Sequence, residues 1–174
     1  SDQEHNIWLG TDYGISLSRY NSALQFVPIS QITGTGDGNQ FYSLFRDSKG
    51  FYWFGGTNGV IRFTHPAGNK HDAIWYRMGD KNYPLSHNRI RHIYEDREQQ
   101  LWTDGSINRY DYNTHQFVHY NIVDSTGTYN TNWAYYLFED TDGKLWIATC
   151  LGGIFVVDKH KLIQSAGRSY VADQ

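Results

Sequence analysis

Tryptophan recurs in this chain at positions 8, 53, 102 and 146, and an aspartate stands six residues ahead of each: Asp2, Asp47, Asp96 and Asp140. Fourteen residues ahead of the last three tryptophans stands an asparagine: Asn39, Asn88 and Asn132. A pattern that returns at a spacing of 44 to 49 residues with internal offsets intact demands a fold built from repeated units, each burying its apolar side against the next.

The content of one unit decides which repeat architecture this is. Residues 41–47 (FYSLFRD), 51–56 (FYWFGG), 59–65 (GVIRFTH) and 73–79 (AIWYRMG) are short and rich in aromatic or β-branched residues. Turn residues separate them, so they read as four consecutive antiparallel strands. Aromatic residues make up 17% of the chain and 17 glycines punctuate it, a composition that suits pleated sheets and tight turns and excludes a solenoid of helix pairs. The expectation is an all-β chain: a β-propeller of four-stranded antiparallel blades, about four of them, with approximate bounds 1–38, 39–87, 88–131 and 132–174. The first unit opens on Asp2, at the end of what would be its innermost strand. The chain is therefore expected to be a partial propeller whose open edge is met by adjoining blades of a longer protein or by a second copy of itself.

The stretch EDTDGKLW (139–146) looks like the front half of a calcium loop. Aligned on the repeated tryptophan, however, Asp142 becomes Lys49 in one unit and Glu98 in another, and only the first aspartate persists. A calcium ligand cannot be exchanged for lysine, so the repeated aspartates are read as turn formers that accept main-chain N–H groups. Asp47, Asp96 and Asp140, with Trp53, Trp102 and Trp146, are thus assigned to architecture, the tryptophans to packing between blades.

Other chemistries find little support. Fifteen Lys and Arg stand against 18 Asp and Glu with no basic cluster, which argues against nucleic acid as a partner. No apolar run is long enough to span a bilayer, and no membrane insertion by this segment is expected. A single cysteine, Cys150, permits neither an internal disulfide nor a multi-cysteine zinc site. His115 and His119 share a strand face but lack a third ligand, no metal or cofactor is expected, and the glycine run 34–38 (GTGDG) has no helix after it to bind a nucleotide. There is no G-x-S-x-G elbow. The five arginines Arg62, Arg77, Arg89, Arg91 and Arg109 are scattered over different blades without an assignable tyrosine–acid couple, which argues against sialidase-type chemistry. No catalytic residue is assigned.

The segments PLSHNRIRHIYEDREQQLW (84–102) and NWAYYLFEDTDGKLWIATCLGGIFVVD (132–158) closely resemble the two-component regulator propeller repeat, with its L-S-x-N, E-D-x-x-G-x-L-W and G-T-x-x-G-L elements. The match departs from the pattern at Arg46, where glutamate is expected, at Gln99, where the turn glycine is expected, and after Trp102, where WTDGSI is shortened. The resemblance implies the periplasmic sensor region of a hybrid histidine kinase, detecting oligosaccharides to regulate polysaccharide-use genes. A non-catalytic interaction or dimerisation scaffold is the alternative.

Ligand-binding candidates follow from the propeller layout, in which inter-blade loops and the loops between second and third strands share one face. Those loops carry Tyr13, Asn58, Asp104, Cys150 and Leu151. Trp133 follows Asn132 at the start of an innermost strand, where an aromatic ring can stack on a sugar. Arg89 and Arg91 are expected to alternate on one strand face near the channel, able to clamp an acidic sugar. Trp75, on an outermost strand, is assigned to edge packing.

Overall fold

The computed structural model describes residues 7–11, 14–18, 25–27, 40–64, 73–166 and 168–172. Three strands form the first sheet, β1 (Ile7–Thr11), β2 (Gly14–Ser18) and β3 (Gln25–Val27). The second is an antiparallel meander of four: β4 (Phe41–Arg46), β5 (Tyr52–Gly56), β6 (Gly59–Phe63) and β7 (Ile74–Tyr76). The third repeats it with β8 (Ile93–Glu95), β9 (Leu101–Thr103), β10 (Asn108–Asp111) and β11 (Gln116–His119). The fourth has β13 (Ala134–Glu139), β14 (Lys144–Thr149) and β15 (Ile154–Asp158). Successive sheets meet through their first strands, as β4 does with β8, which is the blade arrangement of a partial propeller.

The tandem pattern is broken at both ends of the last unit. Residues 122–130, which join the third unit to the fourth, contain the end of a strand, β12 (Asn121–Val123). Where a fourth strand is expected after β15, the chain instead turns into a short helix, α1 (Lys159–Gln164), and then a strand, β16 (Ser169–Val171), which pairs in parallel with β12. Asp158 explains the switch: its carboxylate accepts the Lys161 N–H at 3.1 Å as an N-cap, and Leu162 is buried on the inner side.

Every described repeat turn is organised by its aspartate. Asp47 Oδ1 accepts the N–H groups of Lys49 and Phe51 at 3.1 and 2.8 Å, while Oδ2 accepts the Trp53 indole N–H at 2.8 Å. Asp96 does the same with Glu98, Gln100 and Trp102, and Asp140 with Asp142, Lys144 and Trp146. One carboxylate thus closes the hairpin and supplies the partner that a buried indole N–H requires. The residue three after each aspartate is left-handed, with Gly50 at φ +90° and Gly143 at +77°. Gln99 takes the same conformation at +61° without the freedom of glycine.

Blades are joined by packing and by carboxylates. Trp53 is fully buried against Tyr76 of its own blade and Tyr110 and Phe117 of the next, its ring centroid 4.7 Å from that of Tyr110. Trp102 belongs to a second core with Ala134, Leu137 and Leu145. Glu95 reaches back to accept the Ser48 N–H and hydroxyl of the preceding turn, and Glu139 likewise accepts the Arg97 N–H at 2.9 Å. Arg46 occupies the equivalent position in the second blade, stands over the Tyr52 ring and cannot accept such a bond. Lys159, on α1, is 1% exposed and sits between Glu139 at 2.7 Å and Asp96 at 3.3 Å, with Glu98 at 3.6 Å.

Candidate ligand-binding site

The loops joining second to third strands lie against the residues that lead into the first strands, and main-chain hydrogen bonds hold them there. Thr57 donates to the Gln40 carbonyl and Cys150 to that of Trp133, both at 3.0 Å. Between blades, Ile90 donates to Gly56, Gly59 to Asn88, and Gly105 to Ala134. Such closeness needs bare backbone at Gly105: it sits at φ +86°, and a Cβ there would stand 2.7 Å from the Arg89 carbonyl oxygen. Asn58, Arg89, Arg91, Asp104 and Trp133 are therefore drawn to one end of the molecule. Tyr13 lies outside the described residues.

Three blades present side chains there from the same register. One residue after the repeated asparagine stand Gln40, Arg89 and Trp133; two after it stand Phe41, Ile90 and Ala134, all buried; three after it stand Tyr42, Arg91 and Tyr135. In β4 and β13 the ladder shifts register across the third of these positions, between Phe41 and Ser43 and between Ala134 and Tyr136. Each shift is a β-bulge that turns its tyrosine outward: Tyr42 is 44% and Tyr135 37% exposed.

The third blade reaches the same result by other means, and two expectations are corrected by it. Arg89 and Arg91 do not lie on a strand, because β8 begins only at Ile93. Asp104, expected among the exposed loop groups, is buried: it replaces the small Gly55 and Ala148 of the other blades, and its Oδ1 accepts the N–H groups of Arg91 at 2.8 Å and His92 at 3.1 Å, taking the place of ladder bonds. Its other oxygen has no hydrogen-bond partner. Burial pushes the Asp104 carboxyl up to about 7, against the pull of the His92 and Arg91 N–H groups and of the Arg91 charge.

The outward groups are braced by their neighbours. The Arg91 guanidinium lies 4.2 Å from the centroid of the Tyr135 ring, and the Tyr42 hydroxyl donates to Gln40 Oε1 at 2.9 Å. His87 meets Trp133 edge to face at 5.5 Å, and His92 packs on Tyr136 at 4.0 Å. Burial lowers the His92 pKa, partly opposed by its bond to the Leu137 carbonyl. The neighbouring Cys150 thiol raises the pKa of the Tyr135 hydroxyl, against the pull of the Arg91 charge. Trp133 is 52% exposed and forms one wall of a cleft of about 280 Å³, with Tyr129, Asn130, Thr149 and Leu151 around it. Apolar rings beside amide and hydroxyl groups suit a hydroxylated ring-shaped ligand. Among the described residues, no group of three or more histidine, cysteine or acidic side chains is placed to hold a metal.

Sequence reasoning missed Tyr42 and Tyr135; the shared offset from the repeated asparagine would have found them, but only the bulge shows that they face outward. Trp75 lies on β7 under the Arg77 guanidinium, 4.0 Å from its ring centroid.

The comparisons with known proteins agree with this architecture. The model of a family described as two component regulator propeller matches residues 35–58 and 128–150. The extracellular domain of BT4673 from B. thetaiotaomicron has been solved twice. As described for a one component system, it is 83% identical over 99% of this chain with a TM-score of 0.82; as described for a hybrid two component system, the values are 84%, 99% and 0.83. The chain spans 24% of the length of either structure. Virginiamycin B lyase from Staphylococcus aureus, 14% identical with a TM-score of 0.50 over 91% of this chain and 65% of its own, shares the fold alone. No curated protein matches the chain.

Proposed function

The chain carries two-component regulator propeller repeats, and on that premise we propose that it is part of the extracytoplasmic ligand-binding region of a hybrid two-component histidine kinase, sensing oligosaccharides that switch on polysaccharide-use genes. The membrane side of this reading rests on the high identity to extracellular domains; no helix among the described residues is long and apolar enough to cross a membrane. The observation that carries the ligand class is Trp133, held half exposed by His87 beside a cleft edged with Asn130 and Thr149. A large apolar ring kept in water at a structural cost, next to side chains that can both donate and accept, matches the alternating C–H and O–H faces of a sugar. In this role the segment binds and does no chemistry.

The test is thermal unfolding in the presence of a panel of oligosaccharides. Ligand at about a hundred times its Kd stabilises the folded chain by roughly 2.7 kcal/mol, so a binder raises Tm by several degrees. Trp133→Ala is expected to abolish that rise while leaving the Tm of the unliganded chain nearly unchanged. If no saccharide moves Tm, the sensing reading fails.

A second reading is favoured by the outer side of the fourth blade. Trp53 and Trp102 are covered by the blade that follows each, whereas Trp146 is only half buried and stacks on Phe138, itself 43% exposed, near Tyr136 and Ile154. This face is proposed to dock an adjoining blade, with a second copy as the substitute when no such blade is present. Light scattering across a concentration series separates the two: self-association lost in Phe138→Glu indicates the copy, and a strict monomer rules it out.

A further inference from the structure

Resting on the oligosaccharide reading, we infer that the bulged face is an anion-recognising subsite, and that the ligand is an acidic saccharide whose carboxylate or sulfate group is held by Arg89 and Arg91 while Trp133 and Tyr135 pack against its ring.

Three observations converge on this. The first is repetition with one deliberate difference. The residue three after the repeated asparagine is turned outward in each of three consecutive blades, as Tyr42, Arg91 and Tyr135, and the residue two before it is Gln40, Arg89 and Trp133. The middle blade supplies both cations, flanked on either side by aromatic and amide groups. Bulges characteristically re-aim side chains at functional sites.

The second is the unspent charge. Among the described residues neither guanidinium is in an ion pair, and Arg89 is exposed. Asp104, the carboxylate directly behind Arg91 in the chain's path, spends Oδ1 on the main-chain N–H groups of Arg91 and His92 instead of meeting the guanidinium. His92 and His87 add no acidic group to the face, and stacking on Tyr135 fixes the Arg91 plane without neutralising it. A guanidinium so placed keeps its forked donors free for a planar or tetrahedral anion, where two parallel charge-assisted bonds form.

The third is cost. A buried carboxylate with one oxygen unpartnered destabilises the fold, and the glycine and alanine of the neighbouring blades show that the repeat does not need it. What Asp104 achieves is to hold the main chain of Arg91 outside the strand, which is intelligible if Arg91 has a ligand to meet.

Isothermal titration of the chain with matched pairs tests the inference: tetragalacturonate against its methyl ester, and a sulfated heparin tetrasaccharide against its desulfated counterpart, with inorganic sulfate as a separate arm. The expected result is that at least one charged member binds about tenfold or more tighter than its neutral partner, the order expected of a bidentate charge-assisted contact, and that this preference weakens with added salt. Arg89→Gln, a surface change that leaves folding intact, reduces the preference, and Arg89→Gln with Arg91→Gln removes it while neutral saccharides bind as before. Equal affinity within both pairs, or a preference that survives the double substitution, overturns the inference and leaves the oligosaccharide reading standing. Inorganic sulfate binding as tightly as the charged saccharides also overturns it, since no sugar ring is then being read. Failure of every saccharide, charged or neutral, overturns both.

Discussion

Aspartate plays two opposite parts in this chain, set by what surrounds each carboxylate. In the repeated turns it accepts two main-chain N–H groups and an indole N–H. For Asp140 these bonds, led by that of Trp146, hold the pKa below the ordinary value. At Asp104 burial dominates and the acid is held up at about 7. The sign of the resulting pH dependence follows from the proton count. Between about pH 4 and pH 7 the folded chain holds a proton on Asp104 that the unfolded chain has released, so stability falls as pH rises through that window. The shift corresponds to a few kcal/mol, roughly 1.4 per pH unit. Urea unfolding of the chain and of Asp104→Asn, compared from pH 4 to pH 8, is expected to show the parent losing stability relative to the variant as pH rises. Parallel profiles would mean that Asp104 is ionised throughout.

The first strand of each blade does more than form a ladder. Its bulge or broken start sets which side chain faces the ligand end, and its last residue, Glu95 or Glu139, reaches back to the turn of the preceding blade. In the fourth blade α1 joins this junction by driving Lys159 between Glu139 and Asp96. Burial opposes the ionised form of both partners, yet their mutual hydrogen bond and attraction win, raising the Lys159 pKa and lowering that of Glu139. Removing the cation strands two carboxylates. Lys159→Met is expected to cost about 3–5 kcal/mol, read as a reduced urea midpoint, and the loss should shrink in Lys159→Met with Glu139→Gln. A loss below about 1 kcal/mol would mean that water replaces the ammonium without penalty.

Repeated units make the molecule's stability depend on neighbours, so identical residues differ in worth by their place in the row. Trp102 is fully enclosed by the blade after it, whereas Trp146 faces outward from the last one. Trp102→Ala is expected to cost about 3–5 kcal/mol, the range for a large enclosed aromatic. Trp146→Ala in the same chain costs much less, and joining a further blade to this face should bring its cost up toward that of Trp102. Chemical denaturation of the two variants measures the difference. Equal losses would show that the fourth blade is as well covered as the third.

The sequence by itself determined the repeat, the four-strand meander of a middle blade, the turn role of Asp47, Asp96 and Asp140 and the packing role of the tryptophans, because these depend on periodicity and on hydrogen bonds closed within a few residues. It also drew attention to Arg89, Arg91 and Trp133. What it could not decide was orientation and partnership across blades. That Tyr42 and Tyr135 turn outward, that Asp104 lies beneath Arg91 with one oxygen unpartnered, that the helix at residues 159–164 buries a lysine between two carboxylates, and that β16 returns to pair with β12 all depend on contacts between residues 12 to 63 positions apart. Local pattern specifies which strands form and how they turn. Only the packing of one blade against another settles which side chains are enclosed and which are left facing a ligand.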